Sequence, residues 1–188
     1  MRTPQAQEQH DRLVQFLEDQ QNLDELLKVE GPAAILHEPM ILIGERERFF
    51  VGDGSRIDGM CKVEIGLGVH IGRFVHVASF VHIGIGGGMV VIEDYAAVAS
   101  GARIISGSNS PFAITMSACA PKEMQKVEKS LTTLKKYATV LTNATVLPGV
   151  TLHEGAVLAA GGVATHDIPE WEIWAGVPAK FLMKRVLR

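Results

Sequence analysis

Aromatic residues make up only 6% of the 188-residue chain, so its core cannot be built on large rings. Cysteine is equally scarce: Cys61 and Cys119 are too few for a disulfide scaffold and fit a reducing compartment. Neither sign of charge dominates, with 18 Lys and Arg against 21 Asp and Glu, which argues against a dedicated nucleic-acid partner. No apolar run is long enough to cross a bilayer, and Pro4, Glu8, Asp11 and Arg12 interrupt any signal-peptide pattern. A 47% hydrophobic content excludes a disordered chain. These absences lead to one soluble domain of ordinary size, expected in the cytoplasm, without membrane span or nucleic-acid partner.

What the chain has instead is Val (19), Ile (14) and Gly (19), the composition of short strands broken by tight turns. An aliphatic residue returns every sixth position at Ile65, Ile71, Val77 and Ile83. Val69, Val75 and Val81 stand four places after the first three of these. After the glycines at 86 to 88 the frame resumes at Ile92, Val98 and Ile104, and later at Val140, Val146, Leu152 and Leu158. Strands repeat every two residues and helices every 3.6; neither sustains a period of six. A six-residue unit cannot bury its own apolar face, so the units must stack as a solenoid. The arrangement that satisfies this is a triangular prism. Each hexad makes a short strand and a sharp turn, three hexads complete a coil of 18 residues, and small residues such as Gly66, Gly72, Ala78 and Gly84 sit at the corners.

Three segments lie outside the frame. Residues 1–40 carry Leu13, Phe16, Leu17, Leu23, Leu26 and Leu27, mostly at helical spacing, and are expected to form a helical extension that caps the first coil or packs on a neighbouring subunit. Residues 107–137, with Pro111, Pro121 and a Lys/Glu-rich stretch, are expected to leave the prism as a long excursion, and loops of that length usually carry function. The prism itself is assigned to 41–168. Residues 169–188 form the C-terminal cap, ending in a short basic helix from Ala179.

Ordered motifs then point to a family. Leu147-Pro148-Gly149-Val150-Thr151, Glu154-Gly155, Thr165-His166-Asp167-Ile168-Pro169, Trp171 and Gly176-Val177-Pro178-Ala179-Lys180 follow one another, with Ser106-Gly107-Ser108 ahead of the excursion. Over residues 57–188 the chain resembles the hexapeptide-repeat acetyltransferases, closest to those acting on sugars and nucleotide-linked amino sugars in surface-polysaccharide pathways. The resemblance implies an all-β solenoid wound as a left-handed parallel β-helix, a homotrimer with active sites between neighbouring prisms, and acetyl-CoA as co-substrate. It also implies a sugar or nucleotide-sugar acceptor for amino or hydroxyl acetylation. Ala160, Gly161 and Gly162 supply turns small enough for the cofactor arm to approach, and Lys180 and Arg185 are candidates for its phosphates.

Acyl transfer from a thioester needs a base for the proton of the attacking group, and histidine is suited to it near neutral pH. His70, His76 and His82 are six apart, so they point from three different faces of the prism rather than forming a cluster. Phe74-Val75-His76-Val77-Ala78 resembles the family's histidine segment, which makes His76 the candidate base and His82 the second choice. The frame carries His70 on to Val91 and Asn109, and both His70 and Asn109 are candidate acceptor-binding residues. Asn109 and Ser110 stand where relatives usually have acidic residues. Two alternatives share the fold: a zinc-dependent carbonic-anhydrase-like enzyme with histidine ligands, and a non-catalytic trimeric assembly module. No metal site is assigned from the spacing.

Overall fold

The computed structural model describes residues 11, 12, 15 and 33–186. Eighteen of the twenty-one strands in that range form three parallel sheets arranged around one apolar core. Sheet A runs from Ile35–Leu36 through Arg56–Ile57, His76–Val77, Ala97–Val98, Thr139–Val140 and Val157–Leu158 to Glu172–Gly176. Sheet B contains Ile41–Ile43, Lys62–Glu64, His82–Ile85, Arg103–Ile105, Thr145–Val146 and Val163–Ala164. Sheet C contains Phe49–Val51, Gly68–Ile71, Met89–Ile92, Leu131–Leu134 and Thr151–Leu152. The chain visits A, B and C in turn, so successive strands fall in different sheets and each pairs in parallel with the strand one coil away. This is the β-helix that the six-residue repeat calls for.

The repeat buries the residues it marks. Ile71, Val77, Ile83, Ile92, Val98 and Ile104 are at most 1% exposed and belong to one continuous core, as are Val140, Val146, Leu152 and Leu158. The 18-residue coil holds only near the C-terminal end, where Thr139 pairs with Val157 and Thr145 with Val163. Earlier coils are longer: Arg56 pairs with His76, and His76 with Ala97. The additional residues sit at the corner between sheets B and C. Gly66 there has φ +55° and a Cβ would lie 2.4 Å from the Gly87 carbonyl carbon, so the corners stack only because residue 66 has no side chain.

A second corner, between C and A, is built in the opposite way. Phe74, Tyr95, Tyr137 and Trp171 all hold left-handed backbone, φ +54° to +61°. Their rings stack coil on coil, with centroids 5.3, 5.4 and 6.2 Å apart. Left-handed backbone costs an L-residue roughly 1–2 kcal/mol, and each aromatic pair returns about 0.5–1.5 kcal/mol beyond its buried area. These four aromatics thus serve the surface of the solenoid, while Phe49 and Trp174 pack against its core.

Three expectations about the ends and the excursion change. The solenoid begins at Ile35, because Ile35 and Leu36 pair with Arg56 and Ile57. Asp11, Arg12 and Gln15 lie in helical backbone; the rest of the expected N-terminal helices lies outside the described residues. The excursion is an antiparallel ribbon, Gly107–Asn109 against Val127–Lys129, and sheet C resumes at Leu131, six residues before the expected return at 137. Its root is held by two buried serines: Ser130 donates from N and Oγ to the Ser106 carbonyl, at 2.8 and 3.0 Å.

The C-terminal helix is not formed. Ala179–Lys184 is a strand antiparallel to Glu172–Gly176. The last strand of sheet A leaves a row of backbone groups without a next coil to pair with. Gly176, at φ +95°, and Pro178 reverse the chain across that edge. Pairing there outweighs the helix propensity of Leu182, Met183 and Lys184, which is a weak preference beside an open sheet edge.

Candidate functional site

The three histidines stand on three faces, as their spacing requires. His70 is on sheet C, His76 on sheet A and His82 on sheet B. What the spacing concealed is that two of them carry the same partners. His76 Nε2 lies 2.9 Å from Asp58 Oδ2 and 2.9 Å from Arg56 Nη2. His82 Nε2 lies 3.0 Å from Glu64 Oε1, which also accepts from Lys62 Nζ at 2.9 Å. Arg56, Asp58 and His76 shift by six to give Lys62, Glu64 and His82, so one hexad pattern is written twice on adjacent faces.

The third face departs from it. Six positions before Arg56 and Asp58 stand Phe50 and Gly52. The His70 ring therefore packs on Phe50, centroids 4.7 Å apart, with no carboxylate in the equivalent place.

The two dyads differ in their electrostatics. The hydrogen bond from His76 holds the Asp58 carboxyl below its ordinary range, with Arg56 adding to the effect, so it is a carboxylate at neutral pH. Burial pushes Glu64 up, but hydrogen bonds from Lys62 and His82 outweigh it and its pKa is also lowered. Burial lowers the pKa of His82, and Lys62 and Arg103 contribute in the same direction against the pull of Glu64. His76 is the more open of the two, its side chain 45% exposed against 25% for His82. An exposed histidine bonded to a carboxylate is an oriented imidazole with one nitrogen left for a substrate.

Asp58 and Glu64 escaped the reading of the sequence, because a uniform 18-residue frame does not describe these coils. The coils are 20 residues long here, so Arg56 and Lys62 are in register with His76 and His82, and each acid stands two positions further along the chain, where its side chain reaches the ring.

Asn109 does not share the face of His70. The residues in register with His70 are Val91 and then Thr133, because the excursion intervenes before the strand is completed. Asn109 lies instead in the first strand of the ribbon, where its Nδ2 donates to the Met116 carbonyl at 2.8 Å. Its Oδ1 is buried and accepts no hydrogen bond among the described residues.

The candidate cofactor residues fall into two groups. Ala160, Gly161 and Gly162 form the corner between sheets A and B, and a Cβ built on Gly161 would meet nothing within 4 Å. Lower corners in the same column are Ala99-Ser100-Gly101 and Thr142-Asn143, and the Asn143 side chain covers Gly101. Lys180 is exposed on the last strand, opposite Ala175. Arg185 is committed elsewhere: Nη1 donates to the Tyr137 and Gly155 carbonyls at 3.1 and 2.9 Å, and the guanidinium lies 5.4 Å over the Trp171 ring.

Among the described residues no group of three or more His, Cys, Asp and Glu is placed to hold a metal ion, and no helix is long and apolar enough to cross a membrane.

No protein-family model and no curated protein matches the sequence. Solved structures do match the fold. AntD, an N-acyltransferase from Bacillus cereus in complex with dTDP and 3-hydroxybutyryl-CoA, superposes with a TM-score of 0.73 at 21% identity over 89% of each chain. A variant of perosamine N-acetyltransferase from Caulobacter crescentus, in complex with CoA and GDP-perosamine, gives 0.61 at 16% identity over 92% of this chain and 65% of that one. A hexapeptide transferase family protein from Anaplasma phagocytophilum gives 0.55 at 18% over 80% and 78%. At these identities the likeness is one of fold, and it is the fold that the repeat and the motifs resembled.

Proposed function

We propose that the protein is a CoA-dependent acyltransferase that moves an acetyl group from acetyl-CoA to an amino group of a nucleotide-linked sugar. The observation that carries the reading is the exposed His76–Asp58 dyad on sheet A, in a fold whose solved examples include N-acyltransferases holding CoA and sugar nucleotides.

The chemistry follows from the tautomer. When Nε2–H donates to Asp58, Nδ1 carries the lone pair and faces away from the carboxylate. It accepts a proton from the acceptor amine as nitrogen attacks the thioester carbonyl. The imidazolium so formed is stabilised by the Asp58 charge. The tetrahedral intermediate collapses, the C–S bond breaks and the CoA thiolate leaves with a proton from His76. A main-chain N–H at a small-residue corner receives the developing oxyanion.

In this reading the pantetheine follows the corner at Ala160, Gly161 and Gly162, and Lys180 meets a phosphate. Asn109, on the ribbon, contributes to the acceptor pocket. Active sites lie between the subunits of a cytoplasmic homotrimer, and the product enters surface-polysaccharide synthesis.

Calorimetric titration with acetyl-CoA, followed by a thiol-release assay on dTDP-, GDP- and UDP-linked amino sugars, tests the proposal. Saturable binding near one site per chain and thiol release with an amino sugar nucleotide, lost in His76→Ala, is the expected result. Absence of CoA binding overturns it. A product labile to mild base in place of a stable amide would move the reading to hydroxyl acetylation.

A further inference from the structure

The corner between sheets A and B carries two large apolar side chains on left-handed backbone, Met60 and Phe80, each at φ +65°. They stand one above the other, because Lys62 and His82, two residues on, are in register. Left-handed backbone is unfavourable for an L-residue. At the corner between C and A the stacked rings offset that cost, and Phe74 and Tyr95 are 43% and 45% exposed. Phe80 is 64% exposed and contacts no other ring and no cation among the described residues. Above it in the same corner stands Gly101, which has no side chain to lay over the ring. A strained residue kept without a packing partner points to function.

The face beside that ring carries an unpaired cation. On sheet B the column next to the corner reads Lys62, His82 and Arg103 in successive coils, at intervals of about 4.8 Å. Lys62 is paired with Glu64, and Glu64 also bonds His82, so that carboxylate is already occupied. Arg103 is exposed and pairs with no carboxylate among the described residues. Its side chain makes one long bond, from Nη1 to the Gly101 carbonyl at 3.3 Å. On sheet A the residue above His76 is Ala97, so this cation has no counterpart there. The planar fork of an arginine matches a phosphate. An open ring face with a guanidinium beside it is the complement of a base that carries 5′-phosphates. The His76 dyad lies on the other side of the same corner, four residues before Phe80.

We infer that the corner between sheets A and B holds the nucleoside diphosphate of the acceptor, its base on Phe80 and its phosphates on Arg103. The identity of that ligand rests on the acyltransferase reading. The adenosine diphosphate of CoA has the same chemistry, but the corner at Ala160, Gly161 and Gly162, which takes the CoA arm in that reading, lies three coils above on the same edge. Stacking accepts any base, so the site reads a ring face and phosphates rather than the identity of the base.

Titration of the full-length protein with UDP, dTDP and GDP, in the absence of any acyl donor, tests it by calorimetry. All three are expected to bind with similar affinity. Phe80→Gly removes the ring and suits the left-handed backbone; it should weaken UDP binding at least about tenfold, while Phe80→Tyr retains it. Arg103→Gln should weaken UDP and inorganic pyrophosphate alike, whereas Phe80→Gly should leave pyrophosphate binding unchanged. Acetyl-CoA affinity should stay the same in all three variants; its weakening would assign the corner to the adenosine diphosphate of CoA and overturn the inference. UDP affinity indifferent to both Phe80→Gly and Arg103→Gln, or no binding of any nucleoside diphosphate, would overturn it too. Weakened UDP binding that comes with a lower mass by light scattering would assign Phe80 to a contact between subunits, with the same consequence. Intact CoA binding and thiol release beside unaltered UDP affinity would remove this site alone and leave the acyltransferase reading in place.

Discussion

His76 Nε2 is 2.9 Å from both Asp58 Oδ2 and Arg56 Nη2, while Arg56 Nε holds the other Asp58 oxygen at 3.0 Å. A single ring nitrogen cannot serve both partners. Protonated, it donates to Asp58; bare, it accepts from Arg56. Only the first state leaves Nδ1 as a base, so the acid and the cation compete to set the tautomer. Asp58 is a positioning residue in this scheme.

His76→Ala should lower kcat by about 10²–10⁴-fold with acyl-CoA affinity nearly unchanged. Asp58→Asn should lower kcat by less, and nitrogen NMR of His76 should show the Nε2 proton population falling. Turnover unchanged in both variants would remove His76 from the mechanism.

Lys180 and Arg185 should separate. Lys180→Ala is expected to raise the KM for acetyl-CoA several-fold with kcat and melting temperature preserved, as for a phosphate contact at an exposed site. Arg185→Ala leaves two carbonyl groups and the Trp171 ring without their partner, and should cost about 1–3 kcal/mol of stability by urea denaturation. A stable Arg185→Ala with weakened CoA binding would reverse this assignment.

The aromatic corner makes a prediction of unusual form. Tyr95 at φ +61° stacks on Phe74 below and Tyr137 above. Tyr95→Ala loses two stacks and keeps the strained backbone, for about 1–3 kcal/mol of destabilisation. Tyr95→Gly loses the same stacks and relieves the strain, so it should be the more stable of the two by about 1 kcal/mol. Denaturant midpoints of the pair decide the order.

Acid should destabilise the fold in two stages. The pKa of His82 is lowered in the folded chain, first by burial. Its contribution is therefore complete above the unfolded value of about 6.5 and is lost as pH falls through the folded value. Asp58 and Glu64 are also lowered, so their contributions are lost at more acid pH, below about 4. Urea midpoints measured between pH 8 and pH 3 should fall in both windows, and His82→Gln should abolish the first fall and reduce the Glu64 part of the second.

The sequence by itself determined the architecture. A period of six, kept by Ile71, Val77, Ile83 and their later counterparts, has one physical outlet, because units too short to bury themselves must stack. It also determined that His70, His76 and His82 look out from different faces. What only the tertiary structure decided depends on coil length. Insertions at one corner stretch the early coils, so which residues of adjacent coils meet cannot be counted from a uniform 18-residue frame. Asn109 consequently leaves sheet C, and Thr133 takes the place expected for it. The same contacts between coils pair His76 with Asp58 and His82 with Glu64, while the His70 ring packs on Phe50. At the C-terminus an open sheet edge turned a segment of good helix formers into a strand, since backbone groups left unpaired there cost more than helix propensity supplies.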